Sequence, residues 1–138
     1  MIALDNEIIW FQEKAMERGL ELSVPPLSTT TAYKEFMITM SGKSYSYQSI
    51  ALYLIERVYQ KAWNNILEKA GEEGLYSIYA KNWGNADFKA YVDLLELIAE
   101  REAAAGTVSE DEISYLFDKI MKLEVMFWDM AYESSGSC

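Results

Sequence analysis

The sequence predicts an all-α protein, one single-domain bundle of about five to six helices. Three observations predict it. Apolar residues recur at spacings of three and four along most of the 138 residues. Glycines and capping residues break the chain at helix-length intervals. No stretch shows strand alternation, a hairpin signal or a repeat.

From Leu4 to about Arg18 the positions Ile8, Ile9, Phe11, Ala15 and Met16 follow a helical period. Asp5 or Asn6 can cap the start and Gly19 the end. Leu20 to Leu27 holds both prolines, Pro25 and Pro26, and reads as a loop. Ser28 or Thr29 is placed to cap a second helix that Ser41-Gly42 ends. Ser44 or Ser46 opens a third and long helix, reaching about Ala70 before Gly71. Its length suits a bundle spine.

Gly74 to Trp83 predicts a shorter helix rich in aromatics. Asn85 caps a fifth, whose Phe88, Tyr91, Val92, Leu94, Leu95, Leu97 and Ile98 are expected to drive packing, with Gly106 at its end. Ser109 with Glu112 three residues on is a capping-box pattern. It opens a last helix, from about Glu110 to Tyr132. The helical domain is drawn as 1–133, and 134–138 as a disordered tail.

Hydrophobic content of 51% and 14% aromatics argue against disorder. Twelve basic against 22 acidic residues leave a net charge of −10, which disfavours a nucleic-acid partner. The sole cysteine, Cys138, is terminal, so no disulfide forms within the chain and a reducing, cytoplasmic location is expected. There are no histidines, which removes His-based triads and the usual zinc sites. No metal or cofactor is expected. No membrane span is expected either, because no run of about 18 apolar residues occurs. The first residues lack the basic region of a signal peptide.

Two glutamates interrupt otherwise apolar helices. Glu56 has Leu52, Tyr53, Tyr59, Gln60 and Trp63 around it, and Glu124 has Ile120, Met121, Phe127 and Trp128. Each has a structural reading, a paired carboxylate; for Glu56 the partner would be Arg57 or Lys61. Burying either without a partner costs several kcal/mol, on the order of the penalty for a lone buried charge. A cavity lined by both glutamates and by aromatics suits a small, flat, weakly basic ring.

The run Glu124-Val125-Met126-Phe127-Trp128-Asp129-Met130-Ala131-Tyr132 resembles the closing motif of the TenA family, thiaminase II-like proteins with a haem-oxygenase-like helical fold. Ile55-Glu56-Arg57-Val58-Tyr59 with Ala62-Trp63 resembles the branch in which glutamate replaces the active-site cysteine. Thr31-Ala32-Tyr33, and Asn82-Trp83 before Asn85-Ala86-Asp87-Phe88, fit in order and spacing. The resemblance implies salvage of the thiamin pyrimidine, by hydrolysis of an aminomethyl or formylaminomethyl pyrimidine to the hydroxymethyl form. It implies Glu124 as the acid at a ring nitrogen and Glu56 as a base for water. Tyr33, Trp83 and Phe127 would wall the ring. Tyr59 competes with Gln60 for the next pocket position. It also implies a homo-oligomer. The chain matches about the last two-thirds of the family pattern, and the family's first helices, with their aspartate and tyrosines, have no visible counterpart. The competing expectation is therefore a non-catalytic helical module, or one whose pocket a partner chain completes.

Overall fold

The computed structural model describes residues 2–19, 27–70 and 77–136, and side chains within 5–19, 27–69 and 77–132. The described residues form six helices: α1 (Ile2–Glu17), α2 (Ser28–Ser41), α3 (Tyr45–Ala70), α4 (Ser77–Trp83), α5 (Ala86–Ala104) and α6 (Glu110–Gly136). None is long and apolar enough to cross a membrane. The all-α class is as the sequence predicts.

Several ends are set by local chemistry. The Asn85 side chain accepts from the Phe88 amide at 2.8 Å. At α6 the reciprocal box is complete: Ser109 Oγ takes the Glu112 amide, and Glu112 Oε2 takes the Ser109 amide at 2.8 Å. Ser44 Oγ accepts from the Tyr47 amide and so opens α3. Gly19 and Gly106 have φ of 64° and 75°, which a residue with a Cβ adopts only under strain.

Other boundaries differ from expectation. Leu27 stands at the cap of α2 with no side-chain hydrogen bond, and Ser28 is already helical. Asp5 and Asn6 lie inside α1 rather than before it. α6 reaches Gly136, so the expected tail begins inside the helix. Residues 137 and 138 lie outside the described ones, as do both prolines, Gly71 and Gly74.

α3 is the spine, about 39 Å long at 1.5 Å per residue. It packs on α5, α4, α6 and α2 in decreasing extent. Phe36 and Met40 of α2, Ile50 and Ala51 of α3 and Ala99 of α5 meet Leu116, Ile120 and Leu123 of α6 in one core. Leu116 and Ile120 are sealed, which at about 1.5–3 kcal/mol each anchors the middle of α6. Tyr91, Leu94 and Leu97 of α5 are half-exposed, and do not join the packing expected of them. Val92, as expected, and Ala99 carry the buried stripe, because a helix in contact on one side buries only one arc.

Candidate functional site

A cavity of about 1530 Å³ is lined by residues of all six helices, with Asn82 and Trp83 at the end of α4 and Asn85 in the turn to α5. All six residues singled out in the sequence line it: Tyr33, Glu56, Tyr59, Trp83, Glu124 and Phe127.

Glu124 is the most buried acid in it, 4% exposed. The sealed Ile120 and Leu123 beside it on α6 hold it there. Its Oε1 accepts a 2.6 Å hydrogen bond from the Tyr33 hydroxyl. Its Oε2 is buried with no hydrogen-bond partner among the described residues. Burial pushes this carboxyl above its usual range, while the Tyr33 hydroxyl and the neighbouring Trp128 indole pull it back. The Trp128 N–H nonetheless makes no hydrogen bond of normal geometry. Burial, and then the Glu124 carboxylate, raises the Tyr33 hydroxyl far above its ordinary value, so Tyr33 acts only as a donor.

Glu56 comes from the middle of α3, partly buried. The salt bridge to Arg57 or Lys61 does not form. Arg57 turns the other way and pairs with Asp93 at 2.6 Å and Glu96 at 2.9 Å on α5. Burial, followed by the charges of Glu7 and Glu124, pushes the Glu56 carboxyl up to about 7. It can therefore hold or release a proton near neutrality, which suits general acid–base chemistry.

Of Tyr59 and Gln60, it is Tyr59 that lines the cavity. Gln60 is 3% exposed and faces Arg57, whose Nη1 donates to its Oε1 at 3.2 Å. Tyr59 stacks on Trp128 with centroids 6.3 Å apart and meets Trp83 edge-on at 5.5 Å. Its hydroxyl is pushed up to about 12, chiefly by burial. Phe127 adds an edge contact to Trp128 at 5.8 Å.

Trp83 is 5% exposed because Gly84 lets the chain press on α3. A Cβ at Gly84 would sit 2.6 Å from the Ala80 carbonyl and 3.0 Å from the backbone at Trp63 and Asn64. The Trp83 indole then donates to Glu7 Oε1 at 3.1 Å.

Sequence reasoning missed α1 as a wall. Glu7, Trp10 and Phe11 line the cavity from one face of α1, at spacings of three and four. Phe11 stacks on Trp83 at 5.6 Å, and Trp10 meets Trp83 edge-on at 5.4 Å. The pocket thus has a wall from α1 where none was expected. The signal was present in the Glu7/Trp10/Phe11 spacing, but nothing local distinguished it from an ordinary amphipathic face. Among the described residues no cluster of three or more acidic, His or Cys ligands could hold a metal.

A helical bundle with a carboxylate- and aromatic-lined cavity at its centre defines the class. Its relatives define the family. The TENA/THI-4/PQQC family model matches residues 1–134, and the chain belongs to that family. It is 28% identical over 138 residues to a probable bifunctional TENA-E protein of Glycine max, covering 95% of this chain and 59% of that protein. It also matches the X-ray structure of a TenA homologue from Pyrococcus furiosus, with a TM-score of 0.82 and 27% identity, over 95% of this chain and 65% of that one. The chain thus spans about three-fifths of the length of the soybean relative.

Proposed function

We propose that the cavity binds an aminopyrimidine of thiamin breakdown and hydrolyses its exocyclic C–N bond. The observation that carries this reading is Glu124. A carboxyl group that lines the cavity, spends one oxygen on Tyr33 and keeps the other buried and unpaired has hydrogen-bonding capacity left for a ligand. A ring nitrogen that accepts a proton is the matching partner.

In this reading Tyr59, Trp83 and Phe127 bracket the flat ring. Glu124 donates a proton to the ring nitrogen, making the ring an electron sink. Water gives a proton to Glu56 and attacks the electron-poor exocyclic CH₂ as the C–N bond breaks, the electron pair leaving with the protonated amine as ammonia. The ring proton returns to Glu124 and the ammonia takes up the proton held by Glu56, so a protonated aminomethyl pyrimidine and water become a hydroxymethyl pyrimidine and ammonium. Family membership and the soybean relative support a thiamin-related role. Incubating the pure protein with aminomethyl and formylaminomethyl pyrimidine, and following the hydroxymethyl product, tests the reading. Absence of turnover with either compound overturns it.

A second reading is a ligand-binding or self-associating module without turnover. The half-exposed Phe11, Met37, Ile38 and Tyr91 around the cavity favour it. Sedimentation of the pure protein gives its assembly state, and a binding signal without product separates this reading from the first.

A further inference from the structure

The cavity has a polar corner that the proposed chemistry leaves half used. Glu7 lies on its α1 side, with Oε1 fixed by the buried Trp83 indole N–H at 3.1 Å. Glu56 projects from α3 into the same cavity and has no hydrogen-bond or ion-pair partner among the described residues. From α6, the 4%-exposed Glu124 adds a carboxylate oxygen with no partner. Asp87 of α5 is a fourth acid on the lining. Against these four acids the only cation lining the cavity among the described residues is Lys34, on an exposed position of α2. The remaining titratable groups facing in are the hydroxyls of Tyr33, Tyr59 and Tyr91. Burial, with the charges of Glu56 and Glu7, holds the Tyr91 hydroxyl above its ordinary value, so it brings no further anion.

Carboxylates gathered beside aromatic faces, with one oxygen buried and unpaired, lack a cation. A metal ion is a poor match, because these acids form no group of three or more ligands among the described residues. A compact ammonium group is a good match. It donates three hydrogen bonds, is attracted to carboxylates, and lies favourably against indole and phenol rings. The Trp10, Phe11 and Tyr59 rings stand around Trp83, which holds Glu7.

We propose that Glu7 and Glu56 form an ammonium subsite, with Glu7 a specificity-determining residue that makes this chain prefer a protonated primary amine over a neutral amide or alcohol on the same ring. This rests on the reading of the cavity as a site for a small flat ring, and extends it to the exocyclic group. The Trp83 indole fixes one Glu7 oxygen, leaving the other to accept from the ammonium. Glu56 supplies the second acceptor. The bound nitrogen is then the one that departs as ammonia.

The test is Glu7→Gln in the full chain. The Gln carboxamide oxygen can still accept from the Trp83 indole, so the scaffold is retained while the charge is lost. Binding is followed by tryptophan fluorescence at pH about 8 with two probe pairs: aminomethyl against hydroxymethyl pyrimidine, and benzylammonium against benzyl alcohol. The wild type should prefer each cation by about tenfold or more, a difference of the size one charge-assisted contact gives. E7Q should lose most of that preference with the neutral probes bound as before. No cation preference in the wild type, an unchanged preference in E7Q, or equal weakening of cationic and neutral probes overturns the subsite. Discrimination within the benzyl pair without binding of either pyrimidine supports the subsite and removes the pyrimidine assignment instead.

Discussion

Two adjacent residues of α3, Glu56 and Arg57, are treated in opposite ways. Arg57 faces α5 and has every partner it needs: Asp93, Glu96 and the buried Gln60. Tyr53 adds its hydroxyl to Glu96 at 3.0 Å, and its ring lies 5.6 Å from the guanidinium. Glu56 faces the cavity and has no such partner among the described residues. The buried side-chain atoms without a hydrogen-bond partner among the described residues are Trp63 Nε1, Trp128 Nε1 and Glu124 Oε2, and Glu124 lines the same cavity as Glu56. A satisfied polar network fixes geometry, whereas unpaired buried polar atoms cost stability unless something binds them. The Arg57 network between α3 and α5 is thus scaffold, and the face of α3 that carries Glu56 is site. Substitutions on the two sides should separate activity from stability.

The largest effect is expected at Glu124. Glu124→Gln keeps the shape and can still accept from Tyr33, but it cannot protonate a ring nitrogen. Turnover of the aminomethyl pyrimidine should fall about 100- to 10,000-fold, the usual contribution of a general acid. The urea midpoint should stay level or rise, because a desolvated carboxylate has been removed. A loss of activity matched by an equal loss of stability would place Glu124 with the scaffold.

Next in size is Gly84→Ala. The added Cβ meets backbone rather than a movable side chain, with the Ala80 carbonyl 2.6 Å away. The α4–α5 turn must shift, at a cost of about 1–3 kcal/mol. Trp83 and its hydrogen bond to Glu7 shift with it. Urea unfolding should report the cost, and quenching of tryptophan emission by acrylamide should rise as Trp83 is loosened.

A smaller loss is expected from Arg57→Met, which keeps the stem and deletes the charge. Asp93 and Glu96 are about 40% exposed, so water screens what they lose. The buried Gln60 loses its partner, and this dominates the expected cost of about 1–2 kcal/mol. The ratio of aminomethyl to hydroxymethyl pyrimidine binding should not move. A change in that ratio would mean that the scaffold side reaches into the site.

How much of this contrast was legible in the sequence depends on how local each cause is. The Asn85 cap and the Ser109/Glu112 box were legible because their partners lie three residues away. The pocket positions of Tyr33, Glu56, Tyr59, Trp83, Glu124 and Phe127 were legible through motif order, and the structure gathers all six around one cavity. Gln60 could not be separated from Tyr59 by order alone, because only the direction of Arg57 decides which of the two faces the cavity. Glu7 was not legible at all. It is one of several acids along α1, and what distinguishes it is an indole 76 residues away. The half-exposed Leu94 and Leu97 were misread for a related reason: periodicity reports an apolar helix, not which arc of it a neighbour covers.

The smallest effect, and the one that most sharpens the contrast between the two residues, is the pH dependence at Glu56. Its carboxyl titrates at about 7 in the fold against an ordinary value of 4.5. The raised value means that the protonated form suits the fold. Its contribution to stability is complete below about pH 4.5 and is lost as pH rises through about 7. Partial solvent access halves the full linkage effect, leaving about 1–2 kcal/mol. Glu56→Gln mimics the protonated form at every pH. The stability of the wild type minus that of the variant should therefore fall between pH 4.5 and 8, measured by urea unfolding at each pH. Catalysis should run the other way, since a base for water must be ionised, so wild-type turnover should rise through about pH 7. Asp93, held below its ordinary value by its hydrogen bonds to Lys89 and Arg57, stays ionised across this window. An Asp93→Asn variant should accordingly leave the slope between pH 4.5 and 8 unchanged. If it flattened that slope as Glu56→Gln does, the titration would belong to the α3–α5 network, and the division of α3 into a scaffold side and a site side would fail.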